Sequence, residues 1–387
     1  MDFSLSEEQE MFRGYVNKYL NNMGHTKTAR EFIKGDTESY KTIVSGLAEL
    51  GCTSINISEE YGGMELGALD LVPVLEELGR SVLPGLYLET NSFAVPVLEK
   101  FGSEYQKQKY LPAIAEGSQT FSIAWLEPGS SYHPAGVQMT ASLEGDFIRL
   151  HGTKTLVPDA ELANSLILPA RTGGESGEEG ISLVIVDLDD INISMHKQKN
   201  IDDSRHLAEI TFDNVQISQE QIVGPLHKGW DILQEGLLAV NAALASIMVG
   251  GMAAIVDMAA EYAKIREQFG QPIGRFQAIK HKIVDMKVDL EMARSLAYYA
   301  NWALENESED QVQAIVCARL FAAEAYNKAA AHNIQIHGGI GFTEEIDCHL
   351  YVKRARFYEH YLGSTQSYYE KAAAALGWCE PEKVEQF

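Results

Sequence analysis

The sequence predicts an α+β multidomain protein: an N-terminal helical domain, a middle antiparallel β domain and a C-terminal helical bundle. Three observations carry this. Residues 1 to about 118 repeat apolar side chains at helical spacing behind helix-start signals. From about 120 to 225 the repeat shortens to two, and Gly, Asp and Asn punctuate it. From about 228 to 376 the helical repeat returns in long, barely interrupted runs. The boundaries follow as 1–119, 120–227 and 228–387. An all-α, all-β, all-α order argues against a Rossmann fold, and no G-x-G-x-x-G follows a strand.

The elements follow in order. Ser6 with Gln9 makes a capping-box pattern ahead of Met11, Phe12, Tyr15 and Tyr19, so a helix begins there. Asp36 to Leu50 reads as a second helix closed by Gly51, and Ala68 to Leu78 as a third closed by Gly79, with Pro73 as a flaw inside it. Ser103 and Gln106 repeat the capping-box pattern before a helix that stops near Gly117. In the middle zone Ile148 and Leu150 alternate with Phe147 and Arg149. Ile181 to Leu188 is rich in β-branched residues, and Ala208, Ile210 and Phe212 alternate with Glu209, Thr211 and Asp213. Thr172 to Gly180 is too polar to be buried and reads as a loop. Long helices are expected over Gly229–Glu267, Phe276–Glu305 and Gln311–Ile336.

Composition bounds the function. The chain has 387 residues, more than one hydrophobic core of about 250–300 residues sustains. With 45% hydrophobic and 22% charged residues it has the composition of a globular protein. Its 55 acids against 31 bases give a net charge of −24, which argues against a nucleic-acid binder and against docking on an anionic membrane. Leu237 to Val256 is apolar enough for a membrane span, but it is Ala- and Gly-rich, flanked by Glu235, Asp257 and Glu261, and lacks an aromatic belt; a buried bundle helix is expected instead. Four scattered cysteines (Cys52, Cys317, Cys348 and Cys379) show no metal-ligand spacing, so neither a zinc site nor a disulfide framework is expected. The N-terminal stretch has no basic and apolar regions of a signal peptide, and a cytoplasmic location is the expectation.

Two segments near the C-terminus carry a resemblance. Tyr262-Ala-Lys-Ile-Arg-Glu-Gln-Phe-Gly270, with Pro272-Ile-Gly and Phe276-Gln277 after it, resembles the R-x-x-F-G and F-Q segment of the acyl-CoA dehydrogenase family. Gln335-Ile-His-Gly-Gly-Ile-Gly-Phe342 resembles that family's Q-x-x-G-G-x-G segment. The resemblance covers essentially the whole chain. It implies a C-terminal four-helix bundle, bound FAD, an acyl-CoA substrate, transfer of electrons to an electron-transferring flavoprotein, and at least a dimer, commonly a dimer of dimers. The cofactor-binding positions it implies are Arg266, Phe269, Gln277, Gln335, Gly338, Gly339, Ser364 and Gln366. Arg266 offers a fork of donors suited to a pyrophosphate, and the glycines allow close backbone approach. For Arg266 a surface ion pair with Glu261 or Glu267 is the competing reading, for the glycines a helix end, and for His337 a hydrogen-bonded structural role.

The chain departs from the pattern where flavin chemistry happens. Ala124-Trp-Leu-Glu-Pro-Gly129 and Gly152-Thr-Lys154 resemble the family's T-E-P and G-x-K segments, but Leu126 stands where a Thr or Ser is usual, and Leu156 and Pro158 where an aromatic residue and a hydroxyl are usual. The family's proton-abstracting Glu sits in a Tyr-Glu-Gly-Thr segment; here Tyr361-Leu-Gly-Ser-Thr-Gln366 puts Leu362 there. The minor location for that Glu, on the first long bundle helix, reads Val240, followed by Asn241 where an Arg is usual. Neither Leu nor Val accepts a proton. Glu235, Glu344, Glu345 and Glu359 are nearby acids, each also readable as a solvated surface group. Two expectations remain: an active FAD-dependent dehydrogenase, or a non-catalytic subunit of a heteromeric one that supplies FAD contacts. Small residues at 242, 243, 245, 250 and 251 are read as allowing tight helix packing, with room for a bulky acyl group as the other option.

Overall fold

Ser6 accepts a hydrogen bond from Gln9 N while the Gln9 side chain takes the Ser6 N–H, and α1 (Glu7–Asn22) begins at this capping box. The computed structural model describes residues 5–174, 177–188 and 192–379. α2 (Lys27–Ile33), a segment not anticipated from sequence, is followed by α3 (Glu38–Glu49), which Gly51 ends at φ 82°. α4 (Ala68–Arg80) runs through Gly79 rather than stopping there. The reason is packing: a Cβ at Gly79 would lie 1.9 Å from Ile247 O of a crossing helix, so this glycine serves a close approach and not a helix end. α5 (Tyr87–Glu89), a π-turn over Thr90–Ala94 and α6 (Val95–Phe101) form one rod, interior from Tyr87 to Val95 and reaching the surface at Lys100, that was not anticipated from sequence. α7 (Glu104–Ala115) starts at the second capping box and ends before Gly117.

The middle zone folds as one sheet in the order β6-β7-β3-β2-β4-β5-β8, with β1 paired to β4. Its strands are β1 (Phe121–Ile123), β2 (Thr140–Glu144), β3 (Phe147–Pro158), β4 (Ser165–Arg171), β5 (Ile181–Asp187), β6 (Ile193–Gln198), β7 (Leu207–Ser218) and β8 (Ile222–Val223). Most pairings are antiparallel as expected, but β4 runs parallel to β1 and touches β2 in parallel, so the sheet is mixed. The expected polar loop after β4 is present, its residues 175–176 lying outside the described ones.

α8 (Gly229–Ile265) is the axis of the molecule. It is long and apolar enough to cross a membrane, and its apolar window is entirely buried inside the protein. Its glycines serve packing: a Cβ at Gly250 would meet Glu76 O of α4 at 1.9 Å, and one at Gly251 the Tyr326 hydroxyl at 2.4 Å. The helix ends at Ile265, slightly before the expected limit, because residues 267–272 turn back as a hairpin of β9 (Glu267–Gln268) and β10 (Gln271–Pro272). α9 (Gln277–Glu305), α10 (Gln311–His337), α11 (Cys348–His360) and α12 (Thr365–Ala375) complete the C-terminal part. α8, α9 and α10 pack on one another around a single core shared with α4 and α6.

Candidate active site

The two ends of α8 hold the two groups of residues singled out in the sequence. At 37 residues and about 1.5 Å each, the helix is roughly 55 Å long. The distal end carries Arg266, Phe269, Gln277, Gln335, Gly338 and Gly339. The near end, at Trp230, meets the sheet and the segment 361–366.

At the distal end, Tyr262 stacks on His337 with ring centroids 4.1 Å apart, which joins the end of α8 to the end of α10. His337 Nδ1 lies 2.9 Å from Asn333 O; burial holds its imidazole below the usual range, opposed by that backbone contact. His337 is therefore a structural, hydrogen-bonded residue. Phe269 and Gly270 form the turn of the β9–β10 hairpin with φ of 53° and 75°, and Phe269 is 92% exposed, its ring edge-on to Phe276. Arg266 is exposed and has no ion-pair partner among the described residues; Glu261 pairs with Lys264 instead. Gln277 and Gln335 are exposed as well. Gly338, at φ 66°, ends α10, and a Cβ on Gly338 or Gly339 would meet nothing within 4 Å. The helix-end reading of the glycines thus holds, and the face they offer is open. A free guanidinium, a bare aromatic ring and an open glycine surface lie together here.

At the near end a groove runs between the sheet and α11. Ile123, Trp125, Leu126, Tyr132, Thr155 and Leu156 line one side, and Phe357, His360, Tyr361 and Leu362 the other, with Arg356 at its rim. It holds about 670 Å³ of empty space, part of it open to solvent. Its walls are mainly apolar and aromatic, as suits a flat heteroaromatic ring. Trp125 Nε1 is buried with no hydrogen-bond partner. Those walls fit a flavin ring.

The Glu-Pro and G-x-K segments prove to be one buried device behind this wall. Lys154 Nζ lies 2.7 Å from Glu127 and also donates to the carbonyls of Trp125 and Pro169. Glu127 accepts the backbone N–H groups of Gln138 and Met139. Burial pulls the Lys154 amine below its ordinary range, and Glu127 opposes the shift. Pro158, where a hydroxyl was expected from the family pattern, presents only its carbonyl, which accepts from Ser122 Oγ at 2.5 Å.

Leu362 sits in the wall at φ 54°, 7% exposed. Its carbonyl accepts from Tyr368 of α12 at 2.9 Å, and buried Arg319 of α10 donates to the carbonyls of Tyr358 and Tyr361 just before it. Tyr361 donates its hydroxyl to Glu89. Glu89 and Asp159 share Arg205, all three almost wholly buried. Burial raises the Asp159 carboxyl and Arg205 opposes it; burial likewise raises the Tyr361 phenol, with Glu89 adding to it. The position at 362 is thus fixed from three sides, yet carries an aliphatic side chain. Ser364 caps α12, accepting from Ser367 N, and Gln366 donates to Glu370. Both are exposed beside the groove.

No carboxylate lines the groove among the described residues. Val240 is fully buried in α8, and Asn241 beside it donates to Leu237 O within the helix. The nearby acids are engaged elsewhere or point outward. Glu235 pairs with Lys100, Glu359 with Arg356, and Glu344 and Glu345 are exposed. Sequence reading missed Glu89, Asp159, Arg205 and Arg319. Arg319 alone had a signal, as a single arginine in the apolar run from 314 to 326.

Comparison with known proteins matches the N-terminal, middle and C-terminal domains of acyl-CoA dehydrogenase to residues 6–118, 122–215 and 227–377. The chain is 31% identical over 365 residues to the caffeyl-CoA reductase–Etf complex subunit CarC of Acetobacterium woodii, covering 93% of this chain and 96% of that one. Butyryl-CoA dehydrogenase from Megasphaera elsdenii superposes with a TM-score of 0.89 at 25% identity, covering 97% of this chain and 100% of that one. A structure of PigA with FAD and proline superposes with a TM-score of 0.89 at 26% identity, over 97% and 99% of the two chains.

Proposed function

The chain belongs to the acyl-CoA dehydrogenase family, and on that premise we propose that it works as an FAD-dependent acyl-CoA dehydrogenase acting on the α,β bond of an acyl thioester. The observation that carries this is the apolar groove between the sheet and α11, with a residue 362 whose backbone is held on several sides in its wall. FAD supplies the hydride acceptor for such a reaction. The residues of this chain do the rest: the apolar walls exclude water, the Lys154–Glu127 pair fixes the segment after β1 that carries Trp125, and Arg319 with Tyr368 fixes the turn at 362. Electron-transferring flavoprotein is the electron partner we assign; the relative from Acetobacterium woodii is named as part of an Etf complex. The four free thiols accord with a cytoplasmic, reducing setting.

The roughly 55 Å between the two ends of α8 supports an oligomer. One FAD does not reach from the groove to Arg266 of the same chain, so Arg266, Phe269, Gln335 and the glycines serve the FAD of a neighbouring subunit, in a dimer or a dimer of dimers. A second reading, a non-catalytic subunit of a heteromeric enzyme, is favoured by the absence of a carboxylate along the groove among the described residues. Adding an acyl-CoA anaerobically to the purified yellow protein tests the choice. Bleaching supports activity of this chain alone. An unreactive or colourless protein contradicts it and supports the subunit role.

A further inference from the structure

We infer that the amine of Lys371 binds a phosphate of the acyl-CoA substrate, in a second pocket beside the groove. The inference rests on the reading that the chain takes an acyl-CoA. The pocket lies between the N-terminal half of α8, the start of α10 and α12, and holds about 1510 Å³ of empty space, part of it open to solvent. Leu237, Leu238, Ile315, Val316 and Ala374 make its walls largely apolar. Tyr368 joins it to the groove: it lines the pocket, and its hydroxyl donates to the carbonyl of Leu362, which lines the groove. The pocket thus begins one side chain away from residue 362.

Lys371 is half-buried in the pocket wall. Its Nζ reaches from α12 toward α8 and makes one long hydrogen bond, 3.4 Å, to Gln234 Oε1, which lines the same pocket. Its other neighbour is the Tyr368 ring, 5.6 Å away. Among the described residues no carboxylate lies within 4 Å of this amine, and burial holds it below the ordinary lysine range with no acid opposing the shift. Lys154, also withdrawn from water, has Glu127 at 2.7 Å. The two acids of the pocket wall are turned to other work: Glu309 is exposed, and Asp310 accepts from the hydroxyls of Tyr299 and Ser308. An ammonium group partly withdrawn from water without a counter-charge is costly, and a bound anion relieves that cost. An acyl-CoA joins its thioester to its phosphates through a long uncharged arm, so a thioester held at residue 362 brings a phosphate to a point further along the protein. Lys371 stands seven residues past the cap Ser364, about 10 Å along α12. Its amine is a point charge with rotatable donors, suited to a phosphate.

The test measures, by calorimetry on the FAD-loaded protein, the dissociation constants of an S-alkyl-CoA and of the matching S-alkyl-pantetheine, thioethers that bind without being dehydrogenated. The second ligand has the arm but no phosphate. Lys371→Met is expected to weaken the CoA ligand about tenfold or more, the range of one hydrogen bond between charged groups, and to leave the pantetheine ligand within twofold of wild type. Lys371→Arg is expected to keep the CoA affinity. The melting temperature of unliganded Lys371→Met is expected to hold or rise, because an unpaired charge has left the wall; a lysine with a purely structural role would not combine that with a loss confined to the phosphate-bearing ligand. Lys41→Met, the same charge change on α3, is expected to alter neither constant. Equal weakening of both ligands in Lys371→Met, or a CoA affinity within twofold of wild type, overturns the inference alone. A wild-type protein that binds neither ligand overturns the acyl-CoA reading and this inference with it.

Discussion

Leu362 shows how a single residue separates position from chemistry. The backbone at 362 is held by Arg319, Tyr361 and Tyr368 as tightly as a reacting group requires, while the side chain has no proton-accepting atom. The Lys154–Glu127 pair makes the complementary point: residues conspicuous in a motif hold the wall and do not touch its face. Lys154→Met leaves Glu127 buried beside two backbone N–H groups without its counter-charge. It is expected to destabilise the protein by about 3–5 kcal/mol in urea unfolding, with the double change Lys154→Met, Glu127→Leu recovering much of that loss. His337 gives a pH prediction. Its folded pKa lies below 6.5, so its contribution to stability is present above about pH 6.5 and is lost as pH falls toward the folded value. His337→Phe, which keeps a ring against Tyr262, is expected to lose less stability than wild type between pH 7 and 5. Equal slopes would contradict that account.

The elements were legible in the sequence where local chemistry fixes them. Two capping boxes, the period-two runs and the long apolar helix needed no tertiary information. Gly79 misled because a glycine inside a helix and one after it look alike until the crossing helix is known. The rod from Tyr87 to Phe101 escaped because its first nine residues are buried all round and show no amphipathic stripe. The distal motif residues and the aliphatic residue at 362 stand out in the sequence; the Glu89–Asp159–Arg205 cluster does not, since its members come from three distant segments. Two element-level predictions follow from the packing. Gly250→Ala is expected to cost about 3 kcal/mol or more, because the added methyl strikes the Glu76 carbonyl in α4. Ser364→Ala is expected to cost about 1 kcal/mol through the lost cap of α12, whether or not FAD is present, and Ser364→Asp to restore it.

At the scale of the whole molecule, the segment from 202 to 205 ties the three parts together. Arg205 joins Glu89 and Asp159, and Asp202 holds Arg354, which donates to the Val82 and Leu83 carbonyls. The groove is lined by the middle and C-terminal parts, and the N-terminal part braces it from behind through Glu89, which takes the Tyr361 hydroxyl. If FAD is shared between subunits as proposed, Arg266→Ala weakens FAD binding by tenfold or more although residue 266 lies at the far end of α8 from the groove. Unchanged affinity in that variant would contradict sharing of FAD between subunits. The −24 charge of the chain does not oppose two anionic ligands, because the free guanidinium of Arg266 is a local positive group. The proposed function requires a flavin in the groove with residue 362 facing the reacting carbons. Its most direct test is the rate at which bound FAD bleaches anaerobically on mixing with an acyl-CoA, compared between wild type and Leu362→Glu, both loaded with FAD. The variant is expected to bleach about a hundredfold faster or more, the range a positioned general base provides; equal rates would contradict the proposal.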